Sequence, residues 1–571
     1  MDDKNIRDIV SDEEGSLSSD LRRGIDRRKM IMGTAKGLAL AVIGGIASGC
    51  KSENNGKNAG SSITGSHNYD DKSKPDEKII AVQPDKRETD YSNLSVPEKG
   101  SNVIAPKLEE YIQHNFYQMV DRHHMVHIRS ANVSNQISRT EMLEKTELIK
   151  AMLNDAGAEN TKILQTDKSY PAVFGEFKSK NPNAKTILIG GHYDVQPAEE
   201  ASWTIGKPFS PEIKEVKGEL RLVGRGASDD GQTFTHLDAV LAYAKTGTPL
   251  PVNLKFFYEG CEENGSPDMD KMIKDNKDLL SCDVVILTDS GNVRKGVPAI
   301  TYRSRGLVSA YVRVKTGKND PHSGDGGGVV CNANMALMKI LSQLYDGKTQ
   351  RFLVPGFYKD VKLLSPEEER HFASIDFDED GFFKKGYGAK HIIAEDVKKA
   401  MWALPQFECH AVYRGKGEKG NFISNMDTNK TVTQAEAYCT MRLVPDQNPD
   451  EIAEAFKKAV YMLAKESTCL GEDQIEVDIE SCDYPASIDI TSRYIDVRAK
   501  ALEEVFGMRP DIAPVGGTEA IVGHYRNILG VPVIFDSFDT FNDNAHGDDE
   551  SFSIETLAAG IRANILTYEM F

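Results

Sequence analysis

Apolar residues recur at helical spacing between Pro106 and Met125, where Leu108, Tyr111, Ile112, Phe116 and Met119 share one face. A second helical stretch covers residues 140–155 through Met142, Leu143, Leu148, Ile149, Met152 and Leu153, and Gly157 stops it. Short apolar runs follow at 162–164, 172–177, 186–190, 254–258 and 284–288 and read as buried strands. Helices alternating with such strands predict an α/β sheet covered on both faces.

From about Gly306 the pattern changes. Residues 308–314 alternate, 332–345 are helical, 435–443 are strand-like and 449–465 are helical again. From about Ser492 the α/β pattern resumes, with a helix through Val505, a strand at 531–535 and a last helix at 553–568. The expected fold class is therefore α/β, with a three-layer α/β/α domain interrupted by an inserted α+β domain. The expected boundaries are 104–305 and 492–571 for the split domain and 306–491 for the insertion. No internal repeat is visible.

Composition changes the picture only at the front. Hydrophobic residues at 39% and charged residues at 27% describe an ordinary globular chain. A formal charge of −18 argues against nucleic acid or an anionic membrane surface as partner. Residues 1–50 look like a leader. Arg22-Arg23 and Arg27-Arg28-Lys29 make a basic region with a twin-arginine look, and an apolar stretch from Gly33 to Gly49 follows, too short and glycine-rich for a spanning helix. Ala47-Ser48-Gly49-Cys50 resembles a bacterial lipobox, in which Cys50 would be the lipidated first residue of an exported protein tethered to a membrane and facing the periplasm or cell surface. Residues 51–103, rich in Lys, Asn, Gly, Ser and Asp, read as a disordered tether. The other seven cysteines (Cys261, Cys282, Cys331, Cys409, Cys439, Cys469 and Cys482) are odd in number and lack C-x-x-C spacing. They are expected to be free thiols, with neither a disulfide framework nor a cysteine zinc site.

The chemistry gathers at strand ends. The run Ile187-Leu188-Ile189-Gly190-Gly191 leads into His192, Tyr193 and Asp194. Residues two apart on an extended chain point the same way, so Asp194 can bond the far ring nitrogen of His192, the usual support of a metal-bound histidine. Four further segments carry acids or histidine: Gly226-Ala227-Ser228-Asp229-Asp230-Gly231-Gln232, Tyr258-Glu259-Gly260-Cys261-Glu262-Glu263, Leu287-Thr288-Asp289 and Asn544-Ala545-His546-Gly547. In an open α/β sheet ligands bind beyond the carboxyl ends of the strands. Five such ends carrying His, Asp, Glu, Asp and His predict a metal site. Oxygen and imidazole donors without thiolates suit zinc, manganese or cobalt, and an acid shared by two ions makes a bimetal centre.

Over roughly residues 104–571 these segments resemble, in type and order, the co-catalytic metallopeptidases of peptidase family M20, which includes aminoacylase, carnosinase and succinyl-diaminopimelate desuccinylase. The resemblance implies His192 and Asp289 on one ion, Glu263 and His546 on the other, and Asp229 as the bridge. It implies that Asp194 orients His192, that Glu262 is the general base, and that the insertion is a lid and dimerisation domain. Pro321-His322-Ser323-Gly324 resembles the lid motif whose histidine reaches toward the reacting carbonyl, often across a dimer. Arg442-Leu443-Val444-Pro445 resembles the strand whose arginine holds a substrate carboxylate, and Gly516-Gly517-Thr518 a substrate-binding turn. Two departures stand out. Gly231-Gln232 replaces the family's Lys-Gly after the paired aspartates, and Ala513-Pro514-Val515 stands where carnosinase-like members carry Arg-Glu.

The implied reaction is hydrolysis of a small amide, most simply a dipeptide, with two divalent ions per chain, zinc first among them, and a homodimer as the assembly. The rival enzyme is an N-acyl-amino-acid deacylase, whose substrates also present an amide and a carboxylate. A lipid-tethered binding protein that had lost catalysis should lack a ligand or the base, and here all six residues are present.

Overall fold

The computed structural model describes residues 91–571 apart from 131–132, 135–138, 166–169, 292–293, 295, 376, 415–428 and 540–542. The leader with Cys50, and the tether as far as residue 90, lie outside the described residues.

In chain order the first strands are β1 (Lys162–Leu164), β2 (Ala172–Phe177) and β3 (Thr186–His192), then the hairpin β4 (Glu212–Val216) and β5 (Glu219–Val223). β6 (Asn253–Glu259), β7 (Val284–Thr288) and β8 (Ala299–Ser304) follow. β9 (Gly306–Lys315), a short ribbon of β10 (Tyr345–Asp346) and β11 (Arg351–Phe352), β12 (Gln406–Arg414), β13 (Gln434–Leu443) and β14 (Ile475–Asp483) come next. The last are β15 (Ala486–Ser487), β16 (Asp511–Pro514), β17 (Val533–Ser537) and β18 (Ser551–Ser553).

A nine-stranded mixed sheet has the order β1-β2-β6-β3-β7-β17-β8-β15, with β16 also paired to β8. Its centre is parallel: β3 pairs β6 and β7, and β7 pairs β17. Parallel central strands with both faces covered are apolar throughout, and all five residues of β7 are buried. Four of the central strands therefore send their carboxyl ends to one edge of the sheet. A separate antiparallel sheet, β12-β13-β9-β14, carries its own core of Val308, Val312, Leu337, Ile340, Phe456 and neighbours. This is the inserted α+β unit expected from the change in pattern at Gly306.

The chain leaves the large sheet at Ser304 and returns at Ala486, and these two residues pair. The crossing is tight. A Cβ on Gly306 would stand 2.5 Å from the Asp483 carbonyl oxygen, so the position needs a residue without one. Within the insertion, Phe372, Trp402 and Ala403 join the core of the large sheet instead of the small one.

The stretch read as the end of the tether also packs down. Leu94, Val96 and Val103 lie against the main core, and the Tyr91 ring stacks on Tyr117 at 5.3 Å. The fully buried Arg562 donates to the carbonyls of Pro97 and Lys99 and to both oxygens of Glu109. The first helix spans Pro106–Met119 and continues as a π-helical turn over Val120–Met125. That turn lets two consecutive histidines share one acid: His123 Nδ1 lies 2.6 Å from Asp238 Oδ1, and His124 Nε2 lies 2.8 Å from Oδ2.

One expectation fails. Cys331 and Cys469 form a disulfide across 138 residues of sequence. The odd count and the spacing concealed it because the two cysteines meet only when the segment before the helix Ala333–Leu344 packs beside the end of the helix Pro449–Ser467. Among the described residues Cys261, Cys282, Cys409, Cys439 and Cys482 are free, as expected.

Candidate metal centre

The site is built on strand ends and on loops held by buried hydrogen bonds. β3 brings His192 to the edge of the sheet, and its two glycines permit close packing there. A Cβ on Gly190 would meet Leu287 at 2.3 Å, and one on Gly191 would meet Thr233 at 2.5 Å. His192 Nε2 lies 3.1 Å from Asp289 Oδ2, just beyond β7. Its Nδ1 is 2.9 Å from the carbonyl of Asp194 and 3.4 Å from the Asp194 carboxylate, so the backbone makes the shorter bond. The Asp194 carboxylate is fully buried and accepts from the backbone N–H groups of Glu262 and Glu263 and from the Ser134 hydroxyl. It thereby fixes the turn after β6 that presents both glutamates.

His546, half exposed, points Nε2 at Asp229 Oδ2 (3.1 Å) and Glu263 Oε1 (3.2 Å). Its backbone is left-handed, with φ of 62°, and the loop is pinned by Asp549, which accepts from the N–H groups of Thr204 and Ile205. Two donor sets result, His192 with Asp229 and Asp289, and Asp229 with Glu263 and His546, each with its donor atoms within 4.8 Å of one another. Asp229 belongs to both. The five residues expected as ligands thus come together in the expected two groups.

The donor sets fit divalent cations. Contacts of 3.1–3.2 Å match the roughly 3.3 Å that two bonds of about 2 Å span at a tetrahedral centre. Glu263 Oε1 is buried and has no hydrogen bond of good geometry in spite of facing His546. Burial, reinforced by Asp229, pushes Glu263 up to about 7, and burial pushes Asp289 up to about 6. Burial alone would lower His546, but Asp229 and Glu263 raise it to about 11. Glu262 is pushed well above the usual carboxylate range by burial and by the neighbouring acids Asp289, Glu519 and Glu259.

Arg442, on β13, donates from Nη1 to Thr518 Oγ1 at 2.6 Å, and the Gly517 carbonyl accepts from Arg305 N at 2.9 Å. The arginine and the Gly-Gly-Thr turn expected to hold substrate are therefore in contact. His322 is different: it is exposed, its Nδ1 accepts from Gly324 N, and its backbone bridges to Lys430.

Two supporting groups carry no signal in the sequence. Glu550 is fully buried and takes five donors, from Arg225 Nη1, the N–H groups of Gly226, Ser228 and Asp229, and the Ser228 hydroxyl. It ends the acidic run Asp548-Asp549-Glu550, and such a run gives no sign of which carboxylate is buried. The other is a buried row behind Asp230. His127 Nε2 stands 2.6 Å from Asp230 Oδ2, and Lys145 Nζ lies 3.0 Å from His127 Nδ1 and 2.8 Å from its carbonyl. This row places a lysine behind the paired aspartates although Gly231 has replaced the one that resembling proteins carry in line.

The chain is 27% identical over 448 residues to the Cys-Gly metallodipeptidase DUG1 of Saccharomyces cerevisiae, covering 75% of this chain and 90% of that one. It is 27% identical over 390 residues to the human Beta-Ala-His dipeptidase, covering 67% and 74%. Among solved structures, the M20 family metallo-carboxypeptidase Sso-CP2 of Sulfolobus solfataricus superposes with a TM-score of 0.67 at 27% identity, covering 80% of this chain and 98% of that one. The Saccharomyces cerevisiae dipeptidase Dug1p superposes at 0.66 with 25% identity, covering 82% and 99%. The family model of peptidase family M20/M25/M40 matches residues 188–568, a span that holds both donor sets, Glu262 and Arg442, and the chain belongs to that family.

Proposed function

We propose that the protein hydrolyses dipeptides with two divalent ions, zinc by the chemistry of its donors. The observation that carries this reading is the pair of donor sets sharing Asp229, with Glu262 held beside them by Asp194. His192 and Asp289 would hold one ion, Glu263 and His546 the other, and Asp229 both. Bound there, the ions supply Lewis acidity, lowering the pKa of water and polarising the scissile carbonyl.

The chain's own residues do the rest. Glu262 takes the proton of the attacking water and passes it to the leaving nitrogen. Arg442 and the Gly517-Thr518 turn fix the substrate's terminal carboxylate and so select which amide is cut. His322 is exposed and its ring accepts from Gly324 N, a placement that supports a homodimer in which the partner's copy donates to the developing oxyanion. Lipidation at Cys50 and export complete the proposal. The Cys331–Cys469 disulfide supports export, because such bonds persist in oxidising compartments.

Glu262→Gln keeps the shape but cannot accept a proton. Turnover of dipeptides should fall by about 10²–10⁴ with both ions retained. Loss of an ion would exchange the roles of Glu262 and Glu263, and unchanged turnover would refute the mechanism. A turnover screen of dipeptides against N-acetyl and N-succinyl amino acids separates the dipeptidase from the deacylase. Mass spectrometry of membrane-extracted protein tests Cys50.

A further inference from the structure

Glu519 follows the substrate-binding turn directly and has no role in the chemistry above. The turn is fixed on three sides: Val515 N donates to the Arg303 carbonyl, Arg305 N to the Gly517 carbonyl, and Arg442 to the Thr518 hydroxyl. Glu519 stands at the amino end of the helix Ala520–Leu529, yet its side chain does not cap that helix. It folds back over the turn, with Oε1 only 4.0 Å from where a Cβ of Gly517 would lie. Among the described residues no hydrogen bond or ion pair engages its carboxylate. The charges that act on it belong to the site itself, namely Asp289, Asp229, Arg442 and His192, and burial with the first two raises it to about 8.

Counting charge shows what this carboxylate lacks. Asp229, Glu263 and Asp289 belong to the two donor sets and would face the divalent cations. Arg305 and Asp483, which also lie in the field of Arg442, offset each other. Arg442 then remains as the counter-charge of Glu519 only until a substrate carboxylate takes it. With substrate bound, the Glu519 carboxyl group stands without a partner in a partly desolvated place, where an unpaired polar group is costly and a cation beside it would favour the ionised form.

We propose that Glu519 is a specificity-determining residue that pairs with an ammonium group of the substrate, so that the site selects dipeptides that are cationic as well as terminated by a carboxylate. The inference rests on the dipeptidase reading. The ammonium has two possible sources, the free amino terminus or a basic side chain on the carboxyl-terminal residue, and each has a neutral isostere. Gly-Lys is compared with Gly-norleucine for the side chain. Gly-norleucine is compared with glycolyl-norleucine, which carries a hydroxyl in place of the ammonium, for the terminus.

The kcat/KM ratio within each pair is measured for the wild type and for Glu519→Gln, and binding of the same compounds is measured by calorimetry in metal-loaded Glu262→Gln with and without Glu519→Gln. A charge-assisted hydrogen bond corresponds to about tenfold or more in such a ratio. One pair should show that preference, and Glu519→Gln should abolish it; the pair that responds identifies the source. Ratios that are the same with and without Glu519, or a uniform loss for cationic and neutral members alike, would overturn the proposal. If the wild type cleaves none of these compounds while the Glu519-dependent preference persists in binding, the dipeptidase reading fails and the charge reading stands.

Discussion

Glu550→Gln tests how Asp229, the acid common to both donor sets, is held. Every contact of the wild-type carboxylate is with a donor, including the guanidinium of Arg225, so it serves as an anion although burial pushes its pKa up. A glutamine at this position has one oxygen, and its amide NH₂ must face donors on the other side. In one orientation it loses Arg225 and Gly226; in the other it loses Ser228 and Asp229. Either way two or more contacts become repulsive, and the 2% exposed Arg225 loses its counter-charge. Removing one partner of a buried ion pair costs about 3–5 kcal/mol, against a total stability of about 5–15 kcal/mol. The lost contacts are those of the loop that ends in Asp229, so metal affinity should fall along with stability. Thermal unfolding of metal-free protein, and chelator competition for zinc, give the two readings separately. An unchanged melting temperature with unchanged zinc affinity would refute the assigned role of Glu550.

Three other outcomes are expected. His546→Ala removes one donor from the Asp229–Glu263 set, so metal analysis should find one ion lost and activity largely gone; two ions retained would contradict the ligand assignment. Burial lowers Lys145 to about 7, so between pH 7 and about 10.5 the unfolded chain binds more protons than the folded one, and the cost of burying this lysine is full below that window and fades as pH rises through it. Denaturant titrations should therefore show Lys145→Met losing ground to wild type by roughly 1.4 kcal/mol per pH unit across the window, and a flat difference contradicts the shift. Opening the Cys331–Cys469 bond with Cys331→Ser and Cys469→Ser frees a loop of 138 residues, worth about 5 kcal/mol at most by chain entropy, and unfolding of the small sheet's unit should respond most.

Much of the architecture is legible in the periodicity, and the reasons for the exceptions are physical. Runs such as 186–190 and 284–288 are plain because a strand buried on both faces is apolar at every position. The same condition hides a helix. Phe234–Thr246 is buried from Phe234 to Tyr243, including His236 and Asp238, so no polar stripe marks its period. The candidate ligands are legible because each sits at a strand end or in a glycine-rich loop, where a polar residue interrupts an apolar pattern. Their supports are not, since Glu550, Lys145 and His127 act through contacts that only the folded chain creates. Residues 91–103 have the composition of a tether, but a few apolar side chains and the backbone carbonyls that Arg562 requires are enough to dock them.

The order of the ligands along the chain has a consequence for biosynthesis. Four of them are present by residue 289, whereas His546 follows only after the whole excursion through the small sheet. The stretch behind it supplies β18, which pairs with β5, and the buried helix Ile554–Met570 that covers the large sheet. A nascent polypeptide stalled or cut between residues 289 and 546 carries the residues of one donor set and not of the other. On the proposed ligand assignment, peptide-bond hydrolysis would be withheld from translation products that end before residue 546.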